Sequence, residues 1–420
     1  MSLCKLTYFN LRALGEPIRM ILAYAKIPFE DVRIERFGAE WPTIKPKVPL
    51  GQLPLLEIDG LKLHQSRAIC RYLSKKCDID GKNDNESVQI DMAADVIYDF
   101  RAKFEDPALA QKKYDELNSS FIPLYLNTLD NMVKNNGGYL ACGKLTWVDF
   151  YFTGGSEYYS FLARFNILED YRHLRNLVEK VFALPELKDY LKNRPEKKGF
   201  EKFNKVSLFR CRNIYLSLYM SGTLPQSTHS RKSLMDLCKL TYFNVRALGE
   251  PIRMLLVFSK IPFEDLRIDA TEASWFELKT RVPMGQLPLL EIDGLKLHQS
   301  RAICRYIANK CDLDGKDPVE SVHIDMAADV IYDFRIKFKS SFIPLYLSTL
   351  DTMVANNGGY LACGKLTWVD LYFVGGNEYW SHLARFDILE DYKNLKKLVD
   401  KVLALPELKE YLKNRPETIY

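Results

Sequence analysis

The 420-residue sequence predicts a small α/β domain followed by an all-α helical domain, with the pair repeated twice. Three observations predict it. First, Cys4 to Phe104 matches Cys238 to Phe338 without a gap at an offset of 234, and Ser119 to Glu196 matches Ser340 to Glu417 at an offset of 221. That period is domain-sized, far longer than the repeat of a solenoid. Second, apolar residues within each copy begin with strand-like alternation and later keep only helical spacing. Third, a chain this long exceeds one ordinary hydrophobic core and suits two to four domains.

The elements of the first copy follow in order. Cys4 to Phe9 alternates like a strand, Gly15 to Ile27 spaces its apolar residues like a helix, and Phe29 to Ile34 reads as a second strand. Leu53 to Ile58 and Leu61 to His64 flank Asp59-Gly60, a strong hairpin signal, because both turn positions tolerate positive φ. Gln65 to Cys77 returns to helical spacing. From about Val88 onward only long helical periodicity with Gly-Gly breaks is left. The expected units are an α/β domain over residues 1–80 and a helical domain over 81–196. A linker follows over 197–234, then an α/β domain over 235–314 and a shortened helical domain over 315–420. The shortening is a loss of thirteen residues corresponding to part of Glu105 to Asn118.

Composition excludes several classes. The chain is 47% hydrophobic and 27% charged, which fits a soluble globular protein rather than a disordered one. No stretch approaches twenty uninterrupted apolar residues, so no membrane span is expected. No basic segment precedes a longer apolar one near Met1, so no signal peptide is expected. The net charge of +5 hints at polyanion binding until it is located: eight Lys and Arg against one acid, Glu201, lie between Lys197 and Met235. Nucleic-acid recognition wants a basic face on a folded domain, and here the excess sits in a connector, so no nucleic-acid partner is expected. As flexible coil this connector would reach about 35 Å.

Eight of the nine cysteines are matched between copies: Cys4, Cys70, Cys77 and Cys142 recur as Cys238, Cys304, Cys311 and Cys363, leaving Cys211. No C-x-x-C motif or His-rich run accompanies them, so neither a zinc site nor a dithiol motif is expected, and a cytoplasmic location with reduced thiols is.

Four features carry candidate chemistry. Tyr8 closes the first strand, where α/β domains expose reactive groups, and its hydroxyl can donate to an anion. The following turn holds no Cys or Ser, so a covalent nucleophile there is excluded. Pro54 begins a run that otherwise reads as a central strand, where proline is disfavoured; a cis bond before it would leave the Leu53 backbone groups free for a ligand, whereas the plainer reading is an edge strand. Ser66 opens a helix whose unpaired N–H groups favour a carboxylate, and its plainer reading is an N-cap. Thr146 to Asp149, repeated as Thr367 to Asp370, fits a capping box with a folding role.

The runs YFNLRALGEPIR, GQLPLLEIDG, LHQSRAICRYL and LTWVDF, present in both copies with few changes, resemble the cytosolic glutathione S-transferases. With Trp41, Lys45 and Gln65-Ser66 the resemblance is to the sigma class, which includes glutathione-dependent prostaglandin D synthases. It implies a thioredoxin-like domain followed by a helical domain, working as a dimer, with glutathione as co-substrate and no metal. Tyr8 and Tyr242 would donate to the glutathione sulfur and favour the thiolate. Leu53 and Leu287 would pair their backbones with the cysteinyl part. Gln65, Ser66, Gln299 and Ser300 would hold the γ-glutamyl carboxylate; Trp41, Lys45, Trp275 and Lys279 the glycyl end. Asp99 and Asp333 would reach the γ-glutamyl amine across the dimer interface.

Departures accompany the resemblance. Vertebrate prostaglandin D synthases carry Arg where this chain has Leu14 and Leu248, and an acid where it has Tyr98 and Tyr332. Arg101 and Arg335 sit where an apolar electrophile pocket is expected. The expected activity is conjugation of glutathione to hydrophobic electrophiles in detoxification; a glutathione-dependent prostaglandin isomerase, and a non-catalytic carrier of apolar ligands or structural protein of the same fold, are the alternatives. The partner copy is either the other half of the chain, giving an intramolecular pseudo-dimer, or a second chain, giving a homodimer. Met235 to Cys238 parallels Met1 to Cys4, so a fusion of adjacent coding units also stays open.

Overall fold

The computed structural model describes residues 4–104, 121–195, 238–269, 271, 273–338 and 343–418. The connector expected over 197–234 and the thirteen-residue difference between the copies lie outside them.

In the first copy β1 (Cys4–Phe9), α1 (Glu16–Tyr24) and β2 (Phe29–Ile34) form a β-α-β unit, followed by the short α2 (Glu40–Ile44). The hairpin β3 (Leu55–Ile58) and β4 (Leu61–His64) leads into α3 (Ser66–Ser74). The sheet order is β2-β1-β3-β4, with β1 parallel to β2 and antiparallel to β3. The hairpin turns where the sequence says it should, because Asp59 and Gly60 both take positive φ, 54° and 80°. Alternation then fixes the faces: Leu6, Leu56 and Leu63 point into the core and are fully buried.

The helical part comprises α4 (Asp84–Phe104), α5 (Ile122–Asn135), α6 (Trp147–Ala163), α7 (Arg172–Phe182) and α8 (Lys188–Asn193). Thr146 and Asp149 make the expected reciprocal capping box at the start of α6. The Gly-Gly expectation needs a correction. Gly137-Gly138 does break the chain, with φ of 62° and 90°, but Gly154-Gly155 lies inside α6. A Cβ on Gly154 would sit 2.7 Å from the Pro17 nitrogen, so the missing side chain lets α1 dock on α6. Close packing, not a break, accounts for that pair.

The second copy repeats this order. Its α/β part is β5 (Cys238–Phe243), α9 (Glu250–Phe258), β6 (Phe263–Ile268), α10 (Ala273–Lys279), β7 (Leu289–Ile292), β8 (Leu295–His298) and α11 (Ser300–Asn309). The helices α12 (Pro318–Ile336), α13 (Ile343–Asn356), α14 (Trp368–Ala384), α15 (Lys393–Leu403) and α16 (Pro406–Asn414) complete it. Among the described residues no helix is long and apolar enough to cross a membrane.

The copies pack on each other, α3 against α12 and α11 against α4. Their cores interlock: Met284, Val322 and Met326 of the second copy join the first core, while Leu50 and Val88 of the first join the second. Between them lies a buried network of four Arg and four Asp. Arg67 bonds Asp95 of its own copy at 2.6 Å and Asp329 of the other; Arg301 bonds Asp329 at 2.8 Å and Asp95 in return. Arg71 and Arg305 do the same with Asp91 and Asp325. Four positive groups face four negative ones, so the buried charge is balanced, which an interior requires.

Candidate active site

Two equivalent clefts lie where the copies meet. The first encloses about 470 Å³ open to solvent and is lined mainly by the first copy, with Asp333 and Lys337 supplied by the second. The other, about 430 Å³, is lined by the second copy and completed by Asp99 of the first. Each cleft therefore needs both halves of the chain.

Tyr8 stands at the end of β1, only 4% exposed. Its hydroxyl oxygen accepts the N–H of Leu14 at 3.2 Å, and Leu14 lines the cleft. Gly15 is required beside it, since a Cβ there would fall 2.3 Å from the tyrosine ring. Tyr242 repeats this, accepting from Leu248 at 3.3 Å. Burial pushes the Tyr242 hydroxyl up to about 12, against the opposing pull of the Leu248 N–H, so at neutral pH it is a protonated donor.

The Leu53-Pro54 and Leu287-Pro288 bonds are cis. The edge-strand reading of Pro54 gives way: it precedes β3, which pairs with β1 and β4 on its two sides. Leu53 lines the cleft next to it. The plain N-cap reading of Ser66 also needs correction. Gln65 is the cap, at a φ of 68° and without a side-chain cap bond. Ser66 is the first helical residue, buried, with its hydroxyl 3.4 Å from that of Tyr151. A non-glycine residue held at positive φ beside a cleft is the kind of strain found at ligand clamps. Gln299 and Ser300 have the same geometry, Ser300 facing Tyr372.

Asp333 is buried and presents Oδ2 to Gln65 Nε2 at 3.2 Å, while Oδ1 accepts from the Tyr98 hydroxyl. Burial raises its carboxyl above the usual range, and Lys337 and the Gln65 hydrogen bond pull it back. Asp99 is raised by burial in the same way, opposed chiefly by Arg335 and Arg67.

Leu53, Gln65, Ser66 and Asp333 thus line one cleft, and Leu287, Gln299, Ser300 and Asp99 the other. Tyr8 and Tyr242 are not among the lining residues but stand directly behind them, each bonded to a lining leucine, Leu14 or Leu248. Trp41 and Lys45 are not among the cleft-lining residues. Trp41 packs edge-on to Phe9 at 4.9 Å and joins the cluster of Tyr8, Val48 and Leu53. Lys45 is exposed, its stem lying along Gly51 at the turn before the cleft. Trp275 and Lys279 repeat that placement against Phe243 and Gly285.

Some site residues gave no signal of their own in the sequence. Gln52 lines the first cleft and donates to the Tyr346 hydroxyl of the other copy at 2.8 Å; Gln286 does so to Tyr125 at 3.2 Å. His64 and His298 also line the clefts, and burial lowers each to about 4, so neither is charged at neutral pH. Both glutamines lie inside a quoted motif, but their cross-copy partners are 294 and 161 positions away. Arg101 and Arg335 line the clefts too, one in each.

Comparison with known proteins identifies the repeated domains. The glutathione S-transferase N-terminal domain matches residues 4–75 and 238–309, and the C-terminal domain matches 95–194 and 328–415. A glutathione S-transferase of Anopheles gambiae is 43% identical over 197 residues, covering 46% of this chain and 96% of that protein. Glutathione S-transferase S1 of Drosophila melanogaster is 42% identical over 45% of this chain and 78% of its own length. The hematopoietic prostaglandin D synthase of Rattus norvegicus is 38% identical over 46% of this chain and 98% of its own. Each relative thus spans a single copy, and the matched domains occur twice in succession: the chain belongs to the glutathione S-transferase family and is a tandem pair of its units.

Proposed function

We propose that each cleft binds glutathione and activates its thiol for attack on an apolar electrophile, in the manner of a sigma-class transferase. The observation that carries this reading is a cleft lined by a Gln-Ser helix start and an aspartate from the other copy, with a buried tyrosine held directly behind it through Leu14 or Leu248. Tyr8 and Tyr242 donate to the sulfur and stabilise the thiolate, which is the nucleophilic form. The sulfur then bonds the electrophilic carbon as the leaving group departs with its electron pair, or as electrons shift into an acceptor. Leu53 and Leu287 offer main-chain groups to the cysteinyl unit, and Gln65, Ser66, Gln299 and Ser300 hold the γ-glutamyl carboxylate. Asp333 and Asp99 hold the γ-glutamyl ammonium, each from the opposite copy. Trp41, Lys45, Trp275 and Lys279 reach the glycyl carboxylate from the rim once it is bound.

No cofactor beyond glutathione is needed for this chemistry, and the setting proposed for it is the cytoplasm. The two halves act as a pseudo-dimer within one chain, since every site borrows an acid from the other half. Leu14 and Leu248 favour conjugation over prostaglandin isomerisation, because neither offers the positive charge that the resemblance places there. The test is turnover of glutathione with a panel of apolar electrophiles by the full chain. Conjugation blocked by an S-alkyl glutathione is expected. Tight glutathione binding without turnover of any electrophile would overturn the enzyme reading in favour of a carrier.

A further inference from the structure

Equivalent residues that touch each other must straddle the axis relating the copies, and Tyr98 and Tyr332 do so. Their ring centroids are 4.9 Å apart with planes at 88°, edge to face. In such a pair one ring offers its edge and the other its face, so the two members cannot be equivalent. The cationic surroundings are nearly even-handed. Arg101 and Arg335 each lie 4.3 Å from the tyrosine of their own copy, and Arg67 and Arg301 approach both rings.

The hydroxyls nevertheless differ. Tyr98 donates to Asp333, whose other oxygen faces Gln65 in the first cleft. The buried hydroxyl of Tyr332 has no hydrogen-bond partner among the described residues. Its counterpart acceptor is Asp99, which lines the second cleft beside Gln299.

We propose that Tyr98 and Tyr332 are positioning residues for glutathione, acting through Asp333 and Asp99, and that the pair serves only one cleft at a time. This rests on the reading of those aspartates as anchors for the γ-glutamyl ammonium. A hydroxyl donated to one carboxylate oxygen keeps the group ionised and fixes its rotamer, leaving the second oxygen for a cation. A buried hydroxyl without a partner is costly, so the mirrored arrangement, with Tyr332 on Asp99, satisfies the other copy equally well. Exchanging edge for face moves the donor from one cleft to the other. Because coupling between binding sites is reciprocal, glutathione in the favoured cleft holds the pair there and weakens binding in its twin.

The test reads one cleft at a time in the full chain. Tyr242→Phe slows turnover in the second cleft, so the KM for glutathione reports the first; Tyr8→Phe does the converse. In the Tyr242→Phe background, adding Tyr98→Phe raises this KM about tenfold, as loss of a charge-assisted hydrogen bond should. In the Tyr8→Phe background the same Tyr98→Phe lowers it, because Tyr332 is released to serve Asp99. Tyr332→Phe gives the opposite pair of shifts. In each case kcat at saturating glutathione holds, since neither hydroxyl touches the sulfur. A packing effect would move both backgrounds the same way, and that result, or no shift in either, overturns the proposal while leaving the glutathione sites standing. Absence of glutathione turnover in the unaltered chain would overturn both.

Discussion

Replacing Tyr242 by Phe removes one hydroxyl, keeps the ring, and isolates the step on which the proposed chemistry depends. The residue is 5% exposed, and its oxygen already accepts the Leu248 N–H at 3.3 Å, so its proton is directed to another acceptor. With its own ionisation held up to about 12, it remains a donor throughout the neutral range. A hydrogen bond to a charged group contributes about 1.5–3 kcal/mol. At 1.36 kcal/mol per pKa unit this raises the bound thiol by roughly one to two units when the hydroxyl is lost. Carrying out Tyr8→Phe in the same chain removes the donor from both clefts. The expected outcome is a fall in kcat/KM of about ten- to a hundredfold near neutral pH. The loss should shrink as pH rises past the variant's thiol pKa, where thiolate forms unaided. The assay is the pH profile of kcat/KM with a chromogenic aryl halide. A loss of equal size at every pH would refute acidification of the thiol by the tyrosine, and an unchanged rate would refute its involvement.

Three further outcomes follow from the packing. Arg67→Ala leaves Asp95 and Asp329 buried with Arg301 as their shared partner, so stability should fall by about 3–5 kcal/mol; a denaturation midpoint within error of the parent would argue against a balanced network. Gly154→Ala puts a methyl 2.7 Å from the Pro17 nitrogen, and overpacking of this kind costs about 1–3 kcal/mol; a raised melting temperature would contradict it. Burial pushes Cys4 and Cys77 to about 11 and Cys142 to about 12, with Cys238 and Cys363 also at about 11. These thiols should resist alkylation at neutral pH, and rapid labelling of any of them, mapped by peptide mass, would be inconsistent with their environment.

Much of the fold was legible because its signals are local. Asp59-Gly60 announces a hairpin through the φ values its residues tolerate, and Thr146 to Asp149 announces a helix start through a bond spanning one turn. The Gly154-Gly155 pair departs from its sequence expectation for the complementary reason. Glycine in sequence signals freedom, whereas here its lack of a side chain serves a contact with Pro17, which only the folded chain brings near. In the sequence Gln65 stands out only by its side chain, whereas its positive φ and its place as the cap of α3 depend on the folded backbone.

By itself the sequence determined that one unit is written twice, that each unit is an α/β domain followed by helices, and that its motifs resemble those of the glutathione transferases. Those properties rest on periodicity, turn chemistry and short motifs, which need no knowledge of distant neighbours. The resemblance already sent Asp99 and Asp333 across an interface between copies; tertiary structure alone decided that the two halves of one chain meet there, with Asp333 beside Gln65 and Gln52 bonded to Tyr346. It also decided that Tyr98 and Tyr332 meet edge to face, so two similar copies give their tyrosines different surroundings, Tyr98 bonded to Asp333 and Tyr332 without a partner among the described residues. The physical reason is the packing of two rings across one axis: an edge and a face cannot be exchanged by symmetry, and no pattern within either copy records which tyrosine takes which part.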